Sequence, residues 1–411
     1  MTYNGVLSKL FIRDLSPGQL PYLIDERVYQ RYDQRNNLTV GRPNWDDKLR
    51  LFINEANRTR VRVKRILSGQ PGYHLEDYSL YAAAGVLAKN LGTAIDHDNR
   101  GLTSWSALSA KVDSEIDRWK GDPAAATAMV KRVGRFFGAD LVGIAPLDER
   151  WIYSHAFWSE GTHKEIVFDE VDMPLETDYK LIIPKSARWI IVMAVRMDRD
   201  MIQLTPTPTG CAEVLRTYSS MAFLVAALAE FLRGIGYQAI PAINGLGLSI
   251  PMAIDAGLGE QGRHGKLITP EFGPCVRLCK VITTLPLVPD KPIRFGVTEF
   301  CQVCKKCAAM CPSKAIPKGE RTWSGPSVSE NSGVYTWRLN NEACRRYWIA
   351  GHADPCTICI RVCPFTKGPG LLHDLAKLLI SRMPILDRWW VRLDDLLGYG
   401  KQQDARLFWT G

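Results

Sequence analysis

Cys301-Gln-Val-Cys304-Lys-Lys-Cys307-Ala-Ala-Met-Cys311-Pro312 is the stretch on which the reading of this 411-residue chain turns. It is echoed by Cys344 and then by Cys356-Thr-Ile-Cys359-Ile-Arg-Val-Cys363-Pro364. The first run is spaced C-x2-C-x2-C-x3-C-P, and the second keeps that order with its first gap stretched to eleven residues. Three thiolates separated by two residues each can wrap one 4Fe–4S cubane, while the fourth, just ahead of proline, is turned toward a second one. In that cross-over pattern Cys301, Cys304, Cys307 and Cys363 hold one cluster, and Cys311, Cys344, Cys356 and Cys359 hold the other.

The spacing is that of bacterial two-cluster ferredoxins. Four-cysteine zinc sites are also built from C-x2-C pairs, but they do not call for the C-x3-C-P ending seen twice here. A disulfide framework is weaker still, because the two motifs already take eight of the eleven cysteines. Cys211, Cys275 and Cys279 read as small buried hydrophobes.

At 46% hydrophobic content the chain has room for two or three subdomains and a large core. The formal net charge of +9 fits an anionic partner or surface, yet Arg58-Thr-Arg-Val-Arg-Val-Lys-Arg65 reads as a solvated face rather than a nucleic-acid site, and no nucleic-acid partner is expected. The most apolar stretch, Met221 to Leu232, is interrupted by Glu230 and reads as a core helix, too short to cross a bilayer. The opening Met1-Thr-Tyr-Asn carries no charged-then-apolar leader, which reads as a cytoplasmic chain or one whose leader was removed.

Texture divides the chain into four. Residues 1–123 form a polar, irregular region of short helical stretches. Residues 124–295 alternate helix and apolar strand: a helix over 124–137, a strand over Ala139-Asp-Leu-Val-Gly-Ile-Ala145, a strand over Trp189-Ile-Ile-Val-Met-Ala-Val195, a helix from Tyr218 to Gly236, and a strand over Tyr237-Gln-Ala-Ile-Pro-Ala-Ile243. This implies an α/β layer structure. The cysteine module follows over 296–368, and 369–411 is a helical tail whose amphipathic segment Leu371–Leu397 carries Trp389 and Trp390, as core packing or as a docking face for a membrane partner. Gly257-Leu-Gly-Glu-Gln-Gly262 matches G-x-G-x-x-G, but Pro251-Met-Ala-Ile-Asp-Ala256 before it reads as a helix. A dinucleotide fingerprint needs a strand there, so the glycines read as a helix stop.

Three segments combine with the cysteine module into a family likeness: Gly138-Ala-Asp-Leu-Val-Gly-Ile-Ala-Pro-Leu-Asp-Glu-Arg-Trp151, Asn244-Gly-Leu-Gly-Leu-Ser-Ile-Pro-Met252 and Ala256-Gly-Leu-Gly-Glu-Gln-Gly-Arg-His-Gly265. Together they resemble the corrinoid and iron–sulfur reductive dehalogenases of respiratory type, most closely over 125–370. The resemblance implies an α+β chain: a cobalamin-binding domain similar to the nitroreductase fold, with the two-cluster module appended. It implies reduction of a carbon–halogen bond at Co(I) cobalamin in anaerobic organohalide respiration, fed by a low-potential electron donor. It also implies a small integral membrane anchor protein as partner, and export by the twin-arginine route to the outer face of the cytoplasmic membrane. By position, Tyr218 matches the proton donor, Asn244 the residue that orients the phenol or the substrate, and Arg277 the cation that stabilises phenolate. Gly245, Arg263, His264, Trp337 and Trp348 are the further expected cofactor or pocket contacts. None of the seven histidines stands in a D-x-H-x-x-G context, so the cobalamin is expected base-off. Two rivals share parts of this pattern: the epoxyqueuosine reductases, which also use cobalamin and iron–sulfur clusters, and a ferredoxin-type electron carrier.

The cross-over pairing has a direct test. Anaerobically reconstituted protein should hold about eight irons, four for each cluster. Cys344→Ala should then erase the spectroscopic signature of one cluster and Cys301→Ala that of the other; loss of the same signature in both variants would refute the pairing.

Overall fold

The computed structural model describes residues 8–16, 19–56, 58–85, 99–110, 117–158, 161–351, 355–368 and 370–410. Its first long helix, α1 (Pro123–Phe136), starts where Asp122 accepts hydrogen bonds from the amides of Ala124 and Ala125, both at 2.9 Å, with proline at the first helical position. Ala126, Val130 and Gly134, spaced four residues apart, form its buried face. Strands β1 (Leu141–Pro146) and β2 (Trp189–Arg196) follow, then helix α2 (Pro208–Gly234), β3 (Ala239–Ala242), helix α3 (Ser249–Asp255) and β4 (Val276–Thr283).

The four strands make one sheet in the order β1-β2-β4-β3, antiparallel throughout. Helix and strand alternate along the chain, yet no parallel crossover results; the architecture is α+β. α1 and α2 cover one face, burying Ile191, Met193, Cys279 and Val281. On the other face Val192, Leu278 and Ile282 pack with α3 and with the aromatics Trp151 and Trp158. A second four-stranded sheet (His155–Phe157, His163–Asp169, Lys180–Pro184, Leu175–Glu176) abuts this side and contains one parallel pair, 163–169 with 180–184.

Two sequence expectations change here. β4, central in the sheet, is absent from the sequence reading, because Arg277 and Lys280 interrupt its apolar run. α2 begins at Pro208 rather than Tyr218: Thr207 caps it and proline occupies its first turn. That turns Thr-Pro-Thr-Gly from an apparent loop into a helix start and puts Tyr218 inside the helix. At 27 residues α2 is long and apolar enough to cross a bilayer by length and composition alone, but most of its apolar window is buried, as befits the central core helix. The reading of the glycine-rich run stands: α3 ends at Asp255 with Ala256 as its cap, and Gly257 takes a left-handed φ of +71° as its stop.

The cysteine module supplies α4 (Val297–Cys304), α5 (Asn341–Ile349), which carries Cys344, and α6 (Ile358–Arg361), which carries Cys359. The tail carries α7 (Leu371–Arg382) and α8 (Asp387–Leu396), separated at Pro384, and ends in a single helical turn over Leu407–Thr410. Trp390 packs inward with Phe300 and Cys301, while Trp389 is 64% exposed beside the exposed Leu396 and Ile385. α8 is tied to the module by charge: Lys306 pairs with Asp394 and, at 2.8 Å, with Asp395, and Lys367 with Asp394 at 2.7 Å.

Glu260 links the core to this module. Its Oε1 accepts from the amides of Phe295 (2.6 Å) and Val297 (3.2 Å), at the start of α4. Burial pushes its pKa up to about 7. A carboxyl raised above its unfolded value of about 4.3 makes the fold lose stability as pH climbs toward 7, with no further loss above that. Glu260→Gln keeps the accepting oxygen and cannot ionise. Its melting temperature relative to the parent, measured anaerobically on reconstituted protein, should rise between about pH 4 and 7 and then level off; a constant difference would show that Glu260 does not titrate in this window.

Candidate functional site

Tyr218, Asn244 and Arg277 arrive from three elements: the middle of α2, the residue pair after β3, and the second position of β4. The sheet register sets β3 beside β4, and α2 lies across both, so the three converge. Asn244 Nδ2 donates to the Tyr218 hydroxyl at 3.1 Å. The Arg277 guanidinium stands 5.3 Å from the centre of the Tyr218 ring, and its Nε is buried with no partner among the described residues. A phenol has one proton to give and lone pairs to accept with. Because the amide donates into the oxygen, the phenol proton is free to be directed elsewhere, and the anion left behind would meet an amide donor and a cation.

The loop that carries Asn244 is held from beneath. Lys280, on β4, has no exposed surface, and its Nζ donates to Ile243 O (3.0 Å) and Ser249 Oγ (2.9 Å), bracketing the segment 244–248. From above, the Tyr153 hydroxyl donates to Asn244 O at 3.4 Å, and the amides of Tyr153 and Leu248 bond Leu246 O and Trp151 O. Leu246 sits at φ +70°, strained for a branched residue and retained by these bonds. Gly245 lies within this turn.

Asn244, Gly247, Leu248 and Ser249 wall a cavity of about 430 Å³ whose far side is formed by Asn331, Trp337 and Arg338. Three donors on that far side, Asn331 Nδ2, Trp337 Nε1 and Arg338 Nε, are buried without partners among the described residues. Such donors call for a ligand rich in acceptors. A larger cavity, about 950 Å³, lies beyond Met197 and Cys275, but it holds none of the trio. The smaller one is the better candidate, because it contains Asn244 and the orphaned donors. Across its edge Tyr22 and Trp151 both donate to Asp255, at 2.8 and 2.9 Å, which pins the N-terminal region to α3. Burial pushes Asp255 up to about 6.

The thiols form two groups. Cys301, Cys304, Cys307 and Cys363 line one small enclosed cavity. Cys311, Cys344, Cys356 and Cys359 pack together around Ala308, Ile316 and Ile358, with Cys307 at the border between the groups. Burial pushes Cys301 and Cys356 up to about 12 and Cys304 and Cys344 up to about 11. Iron must therefore displace protons on binding. Cys359 and Tyr218 both pack against one buried cluster of Met197, Ile202, Val214, Cys275 and Ile360. The second set thus shares a packing group with the phenol.

Of the remaining expected contacts, Trp337 walls the Asn244 cavity. Trp348 does not; it sits one turn after Cys344 on α5, beside the second thiol set. Arg263 and His264 are corrected as well: rather than the Asn244 cavity, they line the cavity of the first thiol set. The reason is the tight turn between Glu260–Gln261 and Leu267–Ile268, which swings both side chains toward α4, where Arg263 Nε bonds Cys301 O at 2.9 Å. Lys280, Tyr153, Asn331 and Arg338 are absent from the sequence reading. Only Lys280 leaves a sequence signal, a lone lysine inside an otherwise apolar strand.

Comparison with known proteins identifies the family. Residues 152–287 match the family model for a reductive dehalogenase subunit, and residues 300–367 match a 4Fe–4S dicluster domain. The tetrachloroethene reductive dehalogenase of Sulfurospirillum multivorans is 41% identical over 388 residues, covering 89% of this chain and 75% of that protein. That of Dehalobacter restrictus is 37% identical over 328 residues, covering 73% and 59%. A solved reductive dehalogenase, whose structure suggests a mechanism for B12-dependent dehalogenation, superposes with a TM-score of 0.65 at 22% identity, covering 95% of this chain and 49% of that one. The chain thus spans between half and three quarters of the length of these proteins. It belongs to the reductive dehalogenase family, with its 4Fe–4S dicluster domain following directly on the segment that brings Tyr218, Asn244 and Arg277 together.

Proposed function

We propose that the chain carries the catalytic centre of a corrinoid-dependent reductive dehalogenase acting on a small chlorinated ethene. The reaction takes two electrons and one proton, replaces the carbon–halogen bond by carbon–hydrogen, and releases halide. The observation that carries this reading is the 3.1 Å bond from Asn244 Nδ2 into the Tyr218 hydroxyl beneath the Arg277 guanidinium. It leaves one phenol proton to deliver and a prepared setting for the phenolate.

A corrinoid suits the Asn244 cavity on two counts. Its amide and phosphate oxygens would answer the orphaned donors of Asn331, Trp337 and Arg338, and among the described residues no histidine lines that cavity to supply an imidazole to the metal, in keeping with the expected base-off form. Bound there, it would supply the reducing equivalents that break the carbon–halogen bond. The antiparallel sheet with α2 would be the nitroreductase-like unit that holds it. Electrons from a low-potential donor would pass from the first cluster to the second, whose Cys359 shares a packing group with Tyr218. Chlorinated ethenes are favoured as substrates because relatives at 41% and 37% identity are named for tetrachloroethene. We place the chain, as part of a respiratory enzyme, at the outer face of the cytoplasmic membrane after twin-arginine export, with a small membrane protein as anchor. The exposed apolar residues Leu371, Leu372, Ile385, Trp389 and Leu396 of the tail are where such an anchor would dock.

Tyr218→Phe keeps the ring and removes the proton. Iron and corrinoid content should stay at parental levels while halide release from chlorinated ethenes, driven anaerobically by a reduced viologen, falls about 10²-fold or more. Arg277→Met should lower turnover by losing the cation beside the phenolate. Parental turnover in the Phe variant with cofactors intact would return Tyr218 to a packing role.

A further inference from the structure

The surroundings of the first thiol set contain more than cysteine. Arg263 and His264 are each 1% exposed and line the cavity that Cys301, Cys304, Cys307 and Cys363 enclose. Most of their hydrogen-bonding capacity is committed to the protein. Arg263 Nε donates to Cys301 O at 2.9 Å, its Nη1 donates to Pro317 O (2.8 Å) and Gly319 O (2.7 Å), and the guanidinium stacks 4.5 Å from the centre of the Trp337 ring. His264 Nδ1 accepts from the amide of Lys266 at 3.1 Å.

Two nitrogens are left over. Arg263 Nη2 and His264 Nε2 are both buried, with no partner among the described residues. A neutral imidazole that accepts at Nδ1 carries its proton on Nε2, so that nitrogen is a donor. Burial strongly disfavours the charged ring, in keeping with a neutral tautomer. Two donors therefore stand unanswered in a cavity walled by four thiols, and in a native fold such groups are paired. The acceptors this cavity provides once iron is bound are sulfurs.

We propose that His264 Nε2–H and Arg263 Nη2–H donate hydrogen bonds to sulfurs of the cluster held by Cys301, Cys304, Cys307 and Cys363, and that the His264 bond raises the reduction potential of that cluster. A hydrogen bond to sulfur draws electron density away from the iron and favours the more negative, reduced form, a recognised control on iron–sulfur potentials. Arg263 and His264 line the cavity of the first set, so the effect falls on that cluster. The proposal depends on the iron–sulfur module and not on the identity of the halogenated substrate.

The experiment is a potentiometric titration followed by electron paramagnetic resonance, with the first cluster's signal identified as the one lost in Cys301→Ala. His264→Phe keeps a ring of similar size and removes the donor. With about eight irons retained, the first cluster's midpoint should move to lower potential while the second cluster's stays in place, and His264→Gln, which retains an N–H, should bring the midpoint back toward the parent. A midpoint unchanged in His264→Phe at full iron content overturns the proposal. Should that variant fail to hold iron, the parent chain decides. With ¹⁵N-labelled histidine, pulsed spectroscopy of the reduced first cluster should detect a coupled histidine nitrogen and a coupled proton that exchanges in deuterium oxide. Absence of the nitrogen coupling overturns the proposal equally.

Discussion

The ammonium group of Lys280, sealed in the centre of the sheet, is the contact on which the site depends. Burying a charge is costly unless it is well bonded, and here the bonds go to Ile243 O and Ser249 Oγ, the two ends of the loop that turns from β3 into α3. That loop carries Asn244, contains the left-handed Leu246 and walls the cavity. Without an anchor from below, a turn with a strained leucine at its centre would have several arrangements open to it. With the anchor it has one, and the amide of Asn244 meets the phenol of Tyr218. A lysine in the strand therefore converts sheet register into the placement of a side chain on the opposite face.

Lys280 also marks the limit of what could be read in advance. The cysteine module was legible because each of its parts is a local spacing: thiols two residues apart, a proline behind the fourth. Strands β1, β2 and β3 were legible as unbroken apolar runs. β4 was not, since Arg277 and Lys280 make it look like a polar loop, although its place between β2 and β3 buries every residue of it but Arg277. The start of α2 was hidden for a related reason. Thr-Pro-Thr-Gly has the composition of a turn, and only the Thr207 cap and the packing of Cys211 and Val214 show it as the first turn of a helix. In each case tertiary burial overrides a local signal.

The site residues divide along the same line. Tyr218, Asn244 and Arg277 came from resemblance, not from any property of a lone tyrosine, asparagine or arginine, and the geometry that relates them is a product of three elements far apart in sequence. Arg263 and His264 show the converse. Their glycine-rich context suggested contact with a large cofactor, but the hairpin between residues 261 and 267 turns them toward the cysteine helix α4. A motif fixes which residues are near one another along the chain. It leaves open which side of a turn they face.

The hydrogen bond from Asn244 into the Tyr218 oxygen has a stereochemical corollary. A phenol held by an amide on one side and a guanidinium over its ring presents its single proton along one direction. On the proposed reading, a planar carbon that has just lost halide would be protonated from one face and in one orientation relative to its remaining substituents. An alkene able to give two geometric isomers would then leave the site as one of them, and carbon–deuterium bonds formed in heavy water would carry the same handedness from one turnover to the next.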